Sequence, residues 1–145
     1  MRPLLIVPAR RKQQSPPQIQ TILAPVNFTE AGTRSVSLAT DVARASRAEV
    51  RIFHVIEDPR ETEQEVLTRL CSSIGTDLRA SCALTETVRV GDAAEQIVRF
   101  AAESQSNLIV LAAEHKPFLE WSTIGTTTIR VMRHSTVPVL IFPGK

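Results

Sequence analysis

The chain contains little cysteine, and its metal-binding residue types are dispersed. Its 145 residues include two cysteines, Cys71 and Cys82, which lack the CxxC spacing of a metal or redox site. The three histidines are widely scattered and no pair of carboxylates has metal-ligand spacing, so no metal site is expected. We expect two free thiols in a reducing compartment, and therefore a cytoplasmic location.

The sequence also has no long apolar run. None of its segments reaches the roughly 18 to 20 apolar residues that a membrane-spanning helix needs. The apolar segment Leu4 to Val7 precedes a basic triplet, which is the reverse of the order in a secretory signal. We expect no membrane association. With 43% hydrophobic and 22% charged residues, the chain is expected to bury about 70% of its unfolded surface in one domain.

Aromatic residues make up only 4% of the chain, and tyrosine is absent. Four cations, Arg2, Arg10, Arg11 and Lys12, precede position 21 with no acidic residue among them. The remainder carries 13 basic and 15 acidic groups, so the +2 net charge arises from this N-terminal segment. Because no aromatic residues are interleaved with these cations and no basic face is patterned, we expect a solvated linker and no nucleic-acid partner.

Five segments rich in β-branched and aliphatic residues alternate with helix-like segments, which is typical of a parallel α/β sheet. The expected strands are Thr21 to Val26, Val50 to Ile56, Thr85 to Val90, Asn107 to Leu111 and Val137 to Phe142. The expected helices follow a Thr29 cap, span Glu61 to Ile74, follow an Asp92/Glu95 capping box after Gly91, and span Gly125 to His134. The predicted fold class is α/β, with an open five-stranded parallel sheet, doubly wound, and helices on both faces.

Residues 1–20 do not follow this alternation and are assigned to an arm and linker, whereas residues 21–145 form the domain. Leu4 to Val7 has strand composition, and the segment RRKQQSPPQ is polar and contains prolines. The segment PLLIVP also resembles VPVLIFP near the C-terminus. We hypothesise that the arm is the remnant of a preceding domain and that Leu4 to Val7 pairs with an exposed sheet edge.

Ligands of open parallel sheets bind beyond the carboxyl ends of the strands, which directs attention to three segments. The candidate residues are Pro25, Val26 and Asn27 after the first strand, Ala112 and His115 after the fourth, and Gly125, Thr126 and Thr127 at the last helix start. Backbone N–H groups at such a helix start favour a small anion such as sulfate or phosphate. The alternative without a ligand is a simple helix-start turn with Thr126 as the N-cap.

Three blocks of the sequence resemble the signature blocks of the universal stress protein family. They are ILAPVNFTEAGTRSVSLATDVARASRAEVRIFHVIE, VRVGDAAEQIV and IGTTTIRVMRHSTVPVLIF, in the usual order and spacing. The resemblance implies a Rossmann-like sheet of the adenine nucleotide alpha hydrolase type and a module for stress response or signalling. It also implies a homodimer in which the last strand, Val139, Leu140, Ile141 and Phe142, pairs with its copy.

The resemblance further implies which residues ATP binding would require, and these can be compared with the residues of this chain. In ATP-binding members an Asp ends the first strand, where this chain has Asn27, and two glycines follow the fourth strand, where it has Ala112 and His115. Gly125 and Thr126 match the rest of that motif, and Val55 matches a position that contacts adenine. Because a Cβ hinders close approach to a triphosphate, we expect no tight ATP binding and no required cofactor, with ATP as the alternative ligand.

Catalytic signals are weak in this sequence. No nucleophile lies on a strained elbow, and His54 alternates within a strand as a core histidine would, so no catalytic residue is assigned and no enzyme is expected. In the loop before Gly125, the apolar residues Phe118, Leu119 and Trp121 either cover the sheet edge or form a partner-binding patch.

Overall fold

The computed structural model describes residues 3–9, 18–113 and 125–143. Its elements are β1 (Leu4–Ile6), β2 (Thr21–Pro25), α1 (Glu30–Ser46), β3 (Glu49–Ile56), α2 (Glu63–Ser73), α3 (Thr76–Ser81), β4 (Leu84–Val90), α4 (Ala93–Glu103), β5 (Leu108–Ala113), α5 (Thr126–His134) and β6 (Val139–Pro143). They form one sheet in the order β1-β6-β5-β2-β3-β4. Strands β2 to β6 are parallel, which confirms the predicted fold class.

The sheet has six strands and not five, because the N-terminal arm adds β1 to it. β1 pairs antiparallel with β6, with Leu4 opposite Ile141 and Ile6 opposite Val139. The arm thus forms the added strand that its composition suggests. The hypothesised pairing of Leu4 to Val7 with a sheet edge is observed for Leu4–Ile6, so β1 and not β6 is the outermost strand on this side of the sheet.

Alternating side chains of the strands divide the core between the two faces of the sheet. In β2, Leu23 packs with α4 and α5, whereas Ile22 and Ala24 pack with α1 and α2. All three side chains are fully buried. The unbroken apolar runs of β2 and β5 follow from this arrangement, since the central strands of a doubly wound sheet are covered on both sides.

Side-chain caps fix the starts of α1, α2 and α4. Thr29 Oγ1 accepts from Gly32 N at the start of α1, as predicted. Helix α2 begins at Glu63, two residues later than predicted, because Thr62 and Glu65 form a complete capping box there. None of the helices in the described ranges is long and apolar enough to cross a membrane.

Candidate functional site

A cleft of about 310 Å³ opens at the carboxyl ends of β2, β3 and β5, beside the first turns of α4 and α5. Its described lining comprises Pro25, Val26, Asn27, Gly32, Phe53, His54, Val55, Glu57, Ala93, Ile97, Leu111, Ala112, Gly125, Thr126, Thr127 and Thr128. Because β2 lies between β5 and β3, the ends of these three strands meet at one edge. This is where an open parallel sheet binds its ligands.

The structure brings together every candidate binding residue that it describes. Those residues are Pro25, Val26, Asn27, Val55, Ala112, Gly125, Thr126 and Thr127, and all eight line the cleft. His115, and with it Phe118, Leu119 and Trp121, lies outside the described residues. The candidates of the last strand, Val139, Leu140, Ile141 and Phe142, lie away from the cleft in β6.

The turn between β2 and α1 holds the amide of Asn27 against the start of the helix. Thr29 Oγ1 donates to Asn27 Oδ1 at 2.8 Å and accepts from Gly32 N at 3.2 Å. A Cβ on Gly32 would lie 3.0 Å from Asn27 Oδ1, so the glycine permits this close approach. Asn27 therefore presents an uncharged, held amide at the position where the resemblance implies a carboxylate.

His54, in β3, is hydrogen-bonded to the same turn. It is only 9% exposed, in keeping with a core histidine, and its Nδ1 lies 2.7 Å from the carbonyl oxygen of Val26. Because a carbonyl can only accept, Nδ1 carries the hydrogen. The imidazole packs on Phe28 with the ring centroids 4.6 Å apart, and the Arg69 guanidinium covers Phe28 at 4.1 Å.

Phe28 has a φ of 60°, which is uncommon for a bulky residue. The ring is held between His54 and Arg69, and these contacts offset the cost of the left-handed conformation. This conformation lies in the short turn that connects β2 to α1. Asn27 consequently reaches the cleft while the chain passes directly into α1.

In the part of the chain that the structure describes, no side chain caps the start of α5. Gly125 is the N-cap, with no side-chain hydrogen bond, and Thr126 is the first helical residue. The prediction of Thr126 as N-cap is therefore wrong by one position. Gly125 has no side-chain acceptor, and among the described residues no side chain accepts from the first backbone N–H groups of α5, which line the cleft and favour an anion.

The start of α4 differs, because carboxylates occupy it. Asp92 Oδ1 accepts from Glu95 N at 2.9 Å, which forms half of the predicted capping box. Glu57 Oε1 accepts from Ala93 N at 3.1 Å and places one negative charge on the cleft wall. This helix start therefore offers little to a second anion.

Arg130 links the two helices that border the cleft. Its Nη1 donates to Asp92 Oδ2 at 2.7 Å. The Arg130 guanidinium, followed by the backbone N–H of Glu95, lowers the pKa of the Asp92 carboxyl, and Asp92 in turn raises the pKa of Arg130. Both side chains are well exposed, so the pair positions α5 against α4 more than it adds stability.

Sequence reasoning missed half of the described lining. The missed residues are Gly32, Phe53, His54, Glu57, Ala93, Ile97, Leu111 and Thr128. Glu57 had a usable signal, since it directly follows the strand expected at Val50 to Ile56. In the described ranges, no group of three His, Cys, Asp or Glu side chains could hold a metal ion.

Comparison with known proteins identifies relatives of this fold and sequence. A sequence profile of the Universal stress protein family matches residues 18–143. No curated protein sequence is significantly similar to the chain.

Three solved structures have the same fold. Universal stress protein UspA from Lactobacillus plantarum has a TM-score of 0.67 and 19% identity over 88% of this chain and 99% of its own. A universal stress protein in complex with cAMP has a TM-score of 0.72 and 21% identity over 89% of this chain and 100% of its own. The universal stress protein from Archaeoglobus fulgidus in complex with dAMP has a TM-score of 0.62 and 18% identity over 85% of this chain and 96% of its own.

Proposed function

The chain belongs to the universal stress protein family, and we propose that it is a non-catalytic stress-response module that binds an adenine nucleotide with a single phosphate and does not hold ATP tightly. A cytoplasmic location is part of the proposal, since Cys71 and Cys82 are both free thiols. The alternative function is an ATP-binding member with weak or no hydrolysis.

The observation that carries the proposal is the convergence of an apolar cleft wall and a helix start whose N-cap is a glycine. Val26, Val55 and Leu111 line the same cleft as Gly125 and Thr126. An apolar wall suits a flat base, and the N–H groups at a helix start suit a phosphate group. The relatives in complex with cAMP and dAMP hold ligands of this size class.

The choice of one phosphate over three rests on the cleft's charge and shape. Glu57 brings a negative charge to the wall, which repels a triphosphate more strongly than a monophosphate. Ala112 carries a Cβ into the cleft at a position where a glycine would leave the backbone open. Asn27 offers an amide whose oxygen is already bonded to Thr29.

Isothermal titration calorimetry with AMP, cAMP and ATP, with and without Mg²⁺, tests the proposal. We expect micromolar binding of AMP or cAMP and weaker binding of ATP. Ala112→Phe, which fills the cleft, should abolish binding, and Ala102→Phe, on the exposed face of α4, should leave it unchanged. Nanomolar capture of ATP would favour the alternative, and no heat with any of the three nucleotides would overturn the proposal.

We also propose that the module acts through self-association at the β6 side of the sheet, Val139 to Phe142. The support is the cluster of exposed apolar side chains there: Leu4, Leu5 and Val7 are 52%, 55% and 56% exposed. Because only three residues of β1 cover β6, these exposed side chains mark a short strand that a second copy can displace in order to pair with β6. Sedimentation velocity across a concentration series measures this association, and a single monomer species at every concentration would refute it.

A further inference from the structure

The β1–β6 pair has the internal symmetry of a strand paired with its own copy. Leu4, Leu5 and Ile6 lie opposite Ile141, Leu140 and Val139. The segment Pro3 to Val7 reads PLLIV and the segment Pro138 to Phe142 reads PVLIF, so the two align residue by residue.

In that alignment Leu5 corresponds to Leu140, and these two residues are paired with each other. Leu4, which corresponds to Val139, is paired with Ile141, and Ile6, which corresponds to Ile141, is paired with Val139. This is the register of an isologous, two-fold pairing between identical strands. β1 therefore takes the position that the β6 strand of a second copy would take.

The connection to the domain makes pairing within one chain easy. Because β1 is antiparallel to β6, and β6 runs in the same direction as β2, the end of β1 and the start of β2 lie at the same edge of the sheet. They are separated by three strand spacings, about 14 Å. The 14 residues between Ile6 and Thr21 can reach about 45 Å, so the tether holds β1 near β6 at a high effective concentration.

The pairing is also short enough to be displaced. Only three residues of β1 pair with β6, and Leu4 and Leu5 remain more than half exposed. Ile6 alone is partly buried against the core on the α4 and α5 face. A second copy that offered all of β6 would present a longer strand of the same chemistry.

We propose that Leu4–Ile6 is an exchangeable cap, which closes β6 within the chain and leaves it open to the β6 strand of a second copy when displaced. The cap thereby sets the concentration at which the protein dimerises. The effect of the cap on dimerisation rests on the proposed self-association, whereas the contact between β1 and β6 is measured independently of it.

Disulfide crosslinking tests the contact between β1 and β6. Leu5→Cys and Leu140→Cys place two thiols on directly opposed residues, whose Cβ atoms lie about 4.5 to 5.5 Å apart. The two native thiols are removed by Cys71→Ser and Cys82→Ser. We expect mild oxidation to give a crosslink within one chain. Val7→Cys with Leu140→Cys, which lies out of register, is the matched control and should crosslink poorly. A crosslink between two Leu140→Cys chains that rises with protein concentration is expected from the displaced state. Absence of the crosslink within one chain at low protein concentration would overturn the cap.

Removal of the cap tests its consequence. Leu5→Pro deletes a backbone donor in the middle of β1, whereas Val7→Pro makes the same change just outside the paired segment. We expect sedimentation velocity to show a dimer at roughly tenfold lower concentration for Leu5→Pro only, with unchanged circular dichroism for both. A crosslink without this shift would refute regulation by the cap. Such a result would leave the nucleotide proposal intact, because calorimetry tests it separately.

Discussion

Gly91 forms the sharp turn between β4 and α4, and its replacement by alanine gives a quantitative test of the structure. Its φ is 144°, a conformation that L-residues rarely adopt. Its N–H donates to the carbonyl oxygen of Ile56 at 3.0 Å, which ties the turn to β3. The turn places Asp92 as the cap of α4 and Ala93 at the cleft.

Two effects contribute to the cost of Gly91→Ala, and the backbone effect is the larger. The positive φ alone costs about 2 to 3 kcal/mol with a Cβ present. The added Cβ would lie 2.9 Å from Gln96 Nε2 and 3.2 Å from Gln96 Cγ. The nearest atom is the end of a flexible side chain that can move, so this contact adds less than about 1 kcal/mol.

Urea denaturation followed by circular dichroism measures both effects. We expect Gly91→Ala to lower the free energy of unfolding by about 3 kcal/mol, and Gly91→Ala with Gln96→Ala to recover less than about 1 kcal/mol of the difference. Gly75→Ala is the matched control, because its Cβ would meet no atom within 4 Å and its φ is −64°. A loss below about 1 kcal/mol at Gly91, or full recovery by Gln96→Ala, would refute the reasoning.

Three further predictions concern charges and a buried ring. Glu57→Gln removes a negative charge from the cleft wall while keeping an oxygen acceptor. Calorimetry should therefore show ATP affinity rising about fivefold and AMP affinity rising less. Equal changes in the two affinities would contradict the charge argument. The pKa of Asp92 is lowered by Arg130, so its contribution to stability is present above its unfolded pKa and is lost below about pH 4. Acid titration of Arg130→Met should therefore show a flatter decline between about pH 4 and 2, and an unchanged slope would refute this linkage. His54 is buried and bonded to the Val26 carbonyl, so His54→Ala should lower the free energy of unfolding in urea by about 2 kcal/mol. The control His134→Ala, at an exposed position, should lower it by less than about 0.5 kcal/mol. Similar values for the two variants would contradict the packing argument.

The sequence predicts the order of strands and helices well, because their signals are local. Alternation, the Thr29 cap and the turn at Gly91 each depend on a few neighbouring residues. The same reasoning misses α3, since TDLRAS is too short to show a helical period. It also extends α2 to Glu61, although the Thr62/Glu65 capping box was visible in the sequence.

Non-local features are less predictable. The strands that meet at the cleft depend on sheet order, and this order brings β3, with Glu57 after it, next to β2. The left-handed conformation of Phe28 depends on contacts with His54 and Arg69, which lie 26 and 41 residues away in sequence. Neither composition nor period carries that information, so the candidate residues of the cleft were found in part only.

The pairing of β1 with β6 has a consequence for the order of folding. It joins the earliest of the six strands to the latest, so its loop-closure entropy is the largest in the sheet. Contacts of such long sequence separation form late, after the local βα units have assembled. On the ribosome, Leu4 and Leu5 therefore emerge before the other strands of this sheet, remain without their partner until β6 has been synthesised, and are open to chaperones throughout.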